Sequence, residues 1–146
     1  MLVGWSDDEN PSSVKSEELE KLIKYCNNII FLGKRSDVDL LLALSDVSIL
    51  PTYYREGTPR FLLESMAMAK AIITTDMPGC NHLIPTGDNG ELIEPRNVDA
   101  IKSAILRVLD RNLIDLGMNS KKLYQENFSE NIVYPAILKL YKSIYP

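Results

Sequence analysis

Short apolar segments alternate with amphipathic stretches from Met1 to Asp110, and this alternation limits the possible folds more than any other feature. The apolar segments have the length of strands and end at glycine, proline or polar residues, which is typical of buried strands. Strands that alternate with helices favour a parallel sheet covered by helices. The predicted fold class is α/β, with a Rossmann-like doubly wound parallel sheet and helices on both faces. The predicted strands are Met1–Gly4, Ile29–Leu32, Val47–Leu50, Ala71–Thr74 and Glu91–Ile93.

The stretches between the strands carry apolar residues at helical spacing and begin at residues that start helices well. Pro59 stands at a predicted first helical position, where its missing N–H group costs nothing. The pattern after the last strand is helical only, which predicts a helical C-terminal tail, and the polar stretch Ser6–Ser13 is predicted to be a loop. Helices are predicted to begin at Ser16, at Ser36 or Asp37, at Pro59, at Asn97, at Leu113 and at Ser129.

Composition is typical of a soluble globular protein. Of the 146 residues, 45% are hydrophobic and 25% charged, and no apolar run approaches the roughly 20 residues that span a bilayer. The net charge of -4 argues against nucleic acid as a partner, because phosphate backbones attract clustered Lys and Arg. The N-terminus lacks the features of a signal peptide, and Cys26 and Cys80 fit a reducing compartment. A cytoplasmic location is therefore predicted.

The loop that leads into Pro59 combines two tyrosines, two guanidinium groups, a carboxylate and a glycine. In doubly wound folds, ligands bind where such loops deliver helix N-termini beyond the carboxyl ends of strands. Free amides at Gly57, Thr58 and the first helical turn would attract an anion, and the Glu64 carboxylate could accept two hydrogens from a vicinal diol. Alternatively, Pro59 only starts a helix, and Arg60 and Glu64 form an exposed ion pair. Local physical chemistry alone favours this structural alternative.

From about Asn28 to Leu109 the chain resembles the C-terminal domain of retaining GT-B glycosyltransferases of the glycosyltransferase group 1 type. The matching segments occur in order and include SDVSILP, YREGTPRFLLESMA, AIITTD and GDNGELIEP. Glu56 and Glu64, separated by seven residues, coincide with that family's two glutamates. The sequence around them is most similar to bacterial enzymes that build O-antigens, surface polysaccharides and lipid-linked oligosaccharides, including N-acetylgalactosaminyl transferases that use UDP donors.

The resemblance implies a role for each matching residue. Glu56 is the predicted catalytic residue, which contacts hydroxyls of the transferred sugar and orients it rather than acting as a covalent nucleophile. Glu64 is the predicted ribose ligand. The other implied site residues contact the donor sugar and diphosphate, namely Gly57, Thr58, Pro59 and Arg60, or flank the base, namely Gly33, Lys34 and Arg35.

The resemblance also implies that the chain is one half of a GT-B fold and a piece of a longer enzyme. The family's cationic diphosphate ligands and its acceptor-binding domain have no obvious counterpart before Met1. Residues 1–128 are assigned to a truncated nucleotide-sugar-binding domain, and residues 129–146 to a helix that packs toward the missing N-terminal domain. This fragment alone is expected to be inactive.

The expected reaction of the full-length enzyme is retaining transfer of a hexose or N-acetylhexosamine, with GalNAc from UDP-GalNAc in α linkage as the specific expectation. The expected partners are a nucleotide-sugar donor and a lipid-linked saccharide acceptor, which the missing N-terminal domain would bind. A lipid-linked acceptor is compatible with peripheral association at the cytoplasmic face of the inner membrane.

No metal or other cofactor is expected beside the UDP-sugar donor, because no Asp-x-Asp pair lies in a suitable loop. Asp37-Val38-Asp39 falls where a helix begins, and helix capping accounts for it. His82, the only histidine, could contact a ligand, although a structural or merely exposed role is favoured. Two alternative functions are a non-catalytic doubly wound binding or regulatory module, which would carry an acidic cluster at its strand ends, and a dinucleotide enzyme, which would carry G-x-G-x-x-G after a strand. The sequence shows neither feature.

Overall fold

The computed structural model describes residues 1–5, 9 and 13–144, and the chain divides into two compact units, Met1–Val38 and Asp39–Pro146. The loop predicted for Ser6–Ser13 therefore lies outside the described residues, except for Glu9 and Ser13. Helix α1 of the first unit spans Ser16–Ile23, as its apolar spacing predicts.

The strands predicted for Met1–Gly4 and Ile29–Leu32 form only an isolated parallel bridge between Leu2 and Phe31. The Leu2 amide donates to Ile30 O at 2.8 Å, and the Leu32 amide donates to Leu2 O at 2.9 Å. The prediction of two full strands was therefore wrong in extent, although the bridge is parallel, as the predicted sheet is. Two short segments that pair over one bridge make too few ladder hydrogen bonds to count as a sheet.

The second unit contains a fully parallel sheet in the order β1-β2-β3, with β1 at Val47–Leu50, β2 at Ala71–Thr75 and β3 at Gly90–Ile93. Each of these strands was predicted to within a residue at either end. The helices confirm the predicted alternation and the helical tail: α2 spans Val38–Ala43, α3 Arg60–Ala67, α4 Val98–Leu109, α5 Leu113–Asn127 and α6 Glu130–Ile144, with a 3₁₀ turn at Asn81–Leu83.

Helices cover both faces of this sheet, which confirms the doubly wound class. Every residue of β2 is buried, so the side chains of successive residues enter two different cores. Ile72 packs with Leu62 and Met66 of α3 on one face. Ile73 packs with Ala104 and Val108 of α4 on the other face. The central strand is therefore fixed from both sides, and the loops at its carboxyl end start from a rigid base.

Helix α3 begins one residue later than predicted. Pro59 is the residue before the helix, because its ψ of 125° is extended, and its carbonyl accepts from the amides of Leu62 and Leu63 at 3.1 and 3.3 Å. Proline tolerates this position as well as the next one, since neither requires an N–H group for the helical ladder. Arg60 is thus the first helical residue, and its amide belongs to the free helix start.

Candidate functional site

The loop of residues 51–59 leaves the carboxyl end of β1 and enters α3, and the end of β2 anchors it. The Thr74 hydroxyl donates to Leu50 O at 2.9 Å, and the neighbouring Thr75 hydroxyl donates to Thr52 O. Both threonines are buried, so these hydrogen bonds are shielded from competition with water. The loop is therefore attached to the sheet at its first residues, while residues 53–57 are exposed.

A row of unpaired amides marks the end of this loop. Within the described residues, the amides of Gly57, Thr58, Arg60 and Phe61 donate no hydrogen bond. No side chain caps the start of α3. Free amides at a helix start combine with the helix dipole to favour a negatively charged group. The predicted anion-binding character of this segment therefore has a geometric basis.

Gly79, in the loop after β2, sets the direction of two of these amides, those of Gly57 and Thr58. Its backbone has φ +92°, and a Cβ at this position would lie 2.5 Å from Gly57 O and closer still to Glu56 O. Both carbonyls thus lie against Gly79. No peptide bond among the described residues is cis, and in a trans peptide the C=O and N–H point in opposite directions. The amides of Gly57 and Thr58 consequently point away from Gly79.

The Glu56 side chain is exposed and touches Thr52, whose hydroxyl donates to Oε1 at 3.4 Å. Behind the loop, Cys80 is fully buried. Burial raises the pKa of the Cys80 thiol, and the negative charge of Glu56 raises it further, while a hydrogen bond with Thr74 acts in the opposite direction. A thiol with a raised pKa stays protonated and is a poor nucleophile. Of these two groups, only the Glu56 carboxylate is accessible to a ligand, because Cys80 is buried.

His82 reaches the same loop from the 3₁₀ turn. Its Nε2 lies 3.2 Å from the Thr58 hydroxyl, and its ring centroid lies 5.8 Å from that of Phe128. The side chain is exposed, yet it has a specific partner in the loop. The favoured structural interpretation therefore agrees with the contacts, although the contact with Thr58 also places His82 beside the free amides.

Arg60 and Glu64 project from the same side of α3, as their spacing predicts. Arg60 Nη2 lies 3.3 Å from Glu64 Oε1, and the two side chains are 90% and 42% exposed. An ion pair this exposed adds little to stability. The Glu64 carboxylate is therefore accessible, and a ligand hydroxyl could reach it without breaking a strong internal interaction.

The two tyrosines of the loop form a stack that receives a cation from another loop. The Tyr53 and Tyr54 rings lie 4.4 Å apart between centroids, and their hydroxyls are 3.1 Å apart. The Arg96 guanidinium, in the turn between β3 and α4, lies 4.3 Å from the Tyr53 ring centroid. This contact joins the loops that follow β1 and β3.

The predicted base-flanking residues lie in the first unit and have partners within it. Gly33 adopts φ +64°, a left-handed conformation that suits the tight turn. The Lys34 Nζ lies 4.6 Å from the Trp5 ring centroid, and Arg35 Nε donates to Asp37 Oδ1 at 2.8 Å. The hydrogen bond from Arg35 lowers the pKa of the Asp37 carboxyl, more than its burial raises it. Asp37 therefore stays ionised as the partner of Arg35.

Sequence reasoning assigned no role to Gly79 or Arg96 and did not foresee the partner of His82. The Pro78-Gly79 pair indicates a turn, but nothing in it shows which loop the turn contacts. Arg96 follows Pro95 before a helix cap, an ordinary turn pattern. The contacts of Gly79, His82 and Arg96 with the loop of residues 51–59 arise because parallel strands bring loops that are distant in sequence together at the carboxyl edge of the sheet.

The fold and this arrangement define a Rossmann-like domain with a candidate ligand site at the carboxyl edge of its parallel sheet. The chain belongs to the glycosyl transferases group 1 family, whose family model matches residues 1–111.

Among known proteins, the chain is 33% identical over 146 residues to the N,N'-diacetylbacillosaminyl-diphospho-undecaprenol alpha-1,3-N-acetylgalactosaminyltransferase of Campylobacter jejuni. This match covers 99% of the chain and 37% of that enzyme. The chain is also 32% identical over 88 residues to the UDP-Gal:alpha-D-GlcNAc-diphosphoundecaprenol alpha-1,3-galactosyltransferase of Escherichia coli, covering 60% of the chain and 22% of that enzyme. The matches thus span 37% and 22% of the length of these two relatives.

Solved structures share the fold. HepE of Anabaena in complex with UDP superposes with a TM-score of 0.87 at 22% identity, covering 97% of the chain and 40% of HepE. Sucrose-phosphate synthase of Thermosynechococcus elongatus superposes with a TM-score of 0.85 at 22% identity, covering 99% of the chain and 38% of the synthase. These neighbours are GT-B glycosyltransferases, so the predicted relation of the chain to one half of that fold is confirmed.

No described helix is both long enough and apolar enough to cross a membrane. In the same part of the chain, His, Cys, Asp and Glu side chains form no group of three or more that could hold a metal ion. The predicted independence from metal stays a prediction.

Proposed function

We propose that this chain forms the donor-binding part of a retaining glycosyltransferase that moves a sugar from a UDP donor to a lipid-linked saccharide. The proposal rests mainly on the unpaired amides of Gly57, Thr58, Arg60 and Phe61 and on two accessible glutamates in the same segment of a chain of this family. The specific donor we propose is UDP-GalNAc, with transfer in α linkage, because the relative from Campylobacter jejuni is named for that sugar.

The amide row suits the departure of a nucleoside diphosphate. As the bond from the sugar to the diphosphate breaks, negative charge grows on the phosphate, and amides that already point outward stabilise it without reorganisation. No step in this scheme requires a metal ion. The exposed Arg60 guanidinium would add positive charge near the same helix start.

Glu56 and Glu64 would hold different parts of the donor. Glu56 would accept hydrogen bonds from sugar hydroxyls and orient the anomeric carbon for attack from the face that the diphosphate leaves, which retains the anomeric configuration. Glu64 would accept both hydroxyls of the ribose, since one carboxylate can accept two hydrogen bonds. Gly33, Lys34 and Arg35 would flank the base. These assignments combine the family register with the exposure of the side chains.

The ribose assignment predicts that Glu64→Ala weakens donor binding through the ribose hydroxyls. Donor affinity should fall by about 1–3 kcal/mol, because hydrogen bonds to a charged acceptor are lost. The measurement is calorimetric titration of a complete transferase containing this chain with UDP and with 2′-deoxy-UDP. The unsubstituted protein should prefer UDP, and Glu64→Ala should bind the two equally. Glu126→Ala, which removes another exposed helical glutamate, is the control and should change neither affinity. Unchanged UDP affinity in Glu64→Ala would refute the assignment.

Helix α6 would pack against the acceptor-binding half of the enzyme. None of its residues is buried in the described structure, although it carries an apolar stripe at helical spacing, formed by Tyr134, Ile137, Leu138, Tyr141 and Ile144. Exposed apolar patches of this kind mark interaction surfaces. The chain spans 37% of its Campylobacter jejuni relative, which leaves ample sequence in such enzymes for the partner half.

Hydrogen exchange tests this packing directly. The amides of α6 should exchange at least roughly tenfold more slowly in a complete transferase than in the 146-residue chain, because docking stabilises the helix against local opening. The amides of α4, which already packs on the sheet, should change little and serve as the internal control. Equal exchange of α6 in both proteins would contradict the proposal.

We further propose that the complete enzyme works in the cytoplasm at the inner membrane, where its lipid-linked acceptor would be located.

A further inference from the structure

Arg96 adopts a backbone conformation that arginine rarely takes. Its φ is +61°, and among the described non-glycine residues it shares a positive φ only with Ala69. Ala69 follows the end of α3, where its amide donates to Met66 O and that of Lys70 donates to Ser65 O, a helix-ending pattern that explains its conformation. Arg96 follows Pro95 in a turn, at the position where glycine or asparagine is favoured.

Burial and ion pairing do not explain why an arginine occupies this position. Arg96 is exposed, and within the described chain it forms no ion pair with any carboxylate. Its guanidinium instead lies 4.3 Å from the Tyr53 ring centroid. A guanidinium over an aromatic face is attracted by the negative potential of the ring. The strained turn therefore directs a cation onto the loop that carries Glu56.

A short series of contacts leads from Arg96 to the Glu56 carboxylate. Tyr53, beneath the guanidinium, stacks on Tyr54. The Tyr54 amide donates to the Thr52 hydroxyl at 3.2 Å, and this hydroxyl donates to Glu56 Oε1 at 3.4 Å. Since these contacts share one loop, a change in the tyrosine stack would be passed to the Thr52 hydroxyl and, through it, to the orientation of the carboxylate.

We propose that Arg96 is a positioning residue for the loop of residues 51–59, called the donor loop below. Arg96 holds the stack of Tyr53 and Tyr54 and thereby orients the Glu56 carboxylate toward the sugar of the donor. This inference rests on the proposed function, because it takes Glu56 as the group that contacts the sugar. This role requires no direct contact of Arg96 with the sugar or the diphosphate. Its contribution is limited to the strength of its contact with Tyr53, since a contact can bias a loop by no more than its own free energy.

The test uses Arg96→Asn and Arg96→Lys in a complete transferase containing this chain. Asparagine tolerates the left-handed backbone but lacks the cation, whereas lysine keeps the cation. For Arg96→Asn we expect an unchanged or higher melting temperature, an unchanged Kd for UDP, and a kcat/KM for the UDP-sugar that is roughly fivefold lower. Arg96→Lys should keep kcat/KM within about twofold of that of the unsubstituted protein.

A double-mutant cycle with Glu56→Gln separates positioning from a structural role. If Arg96 acts through Glu56, Arg96→Asn should have no further effect on kcat/KM in the Glu56→Gln background. The same fold loss in both backgrounds, an equal loss of UDP affinity, or no loss of kcat/KM at all would overturn the inference. If Glu56→Gln alone leaves transfer unchanged, the assigned role of Glu56 in the proposed function fails, which is a distinct result.

Discussion

Replacement of Glu56 by glutamine is expected to lower kcat/KM for sugar transfer by roughly 10- to 150-fold, the loss that follows from removing 1.5–3 kcal/mol of charge-assisted hydrogen bonding. Glutamine keeps the shape of the side chain but replaces one acceptor oxygen with a donor and removes the charge. The Kd for UDP should stay within twofold, because UDP lacks the sugar that Glu56 is proposed to contact. Transfer is measured in a complete transferase with a lipid-linked saccharide as acceptor.

The melting temperature of Glu56→Gln should be unchanged, since the carboxylate is exposed and its hydrogen bond with Thr52 is long, at 3.4 Å. Glu126→Gln, at an exposed position of α5, is the matched control and should keep full activity. A fully active Glu56→Gln enzyme would rule out a catalytic role for Glu56. A loss of UDP affinity as large as the loss of kcat/KM would move Glu56 from the sugar to the nucleotide.

Gly79→Ala should damage both stability and transfer. The left-handed backbone alone should lower the free energy of unfolding by about 1–2 kcal/mol. The added Cβ would also meet two backbone carbonyls, 2.5 Å from that of Gly57 and closer to that of Glu56, so the donor loop must shift. Because a displacement of about 1 Å can cost a hundredfold in rate, we expect kcat/KM to fall by roughly that factor.

Gly87→Ala is the matched control for Gly79→Ala. Gly87 also has a left-handed backbone, with φ +77°, but the nearest atom to its added Cβ would be 4.0 Å away. It should therefore lose a similar backbone contribution to stability, by chemical denaturation, and keep transfer within twofold. If Gly79→Ala resembles Gly87→Ala in both measurements, Gly79 does not set the position of the donor loop.

The fold was predictable to the extent that burial follows local pattern. The segment Ala71–Thr75 is apolar or β-branched throughout and is buried on both faces, so its composition alone predicts a central strand. Asn97 was predicted to start α4, and its side chain accepts from the Ala100 amide at 2.9 Å. The segments at Met1–Gly4 and Ile29–Leu32 have equally apolar sequences, but strand length depends on pairing with distant segments, which no local pattern records.

The residues of the candidate site that lie in one continuous segment were predictable, whereas the contacts between residues distant in sequence were not. Glu56, Glu64 and the helix start follow from the register of a single segment, and the pairing of Arg60 with Glu64 follows from helical spacing. The contacts of His82 with Thr58 and of Arg96 with Tyr53 join residues 24 and 43 positions apart. Such contacts depend on how the loops meet above the sheet, and the side chains involved have no composition that distinguishes them from surface residues.

Because two carbonyls of the loop of residues 51–59 lie against Gly79, the direction of the peptide groups in this loop and the chemistry of its side chains can change independently. The direction of its peptide dipoles depends on the missing Cβ of a glycine in a different loop, whereas the chemistry that it would present to a donor sugar depends on its own side chains. Under the proposed function, substitutions at Thr58 are therefore expected to alter which sugar is accepted while the leaving diphosphate still meets the same amides. A loop built in this way can diversify in specificity without first losing the electrostatics that the reaction needs.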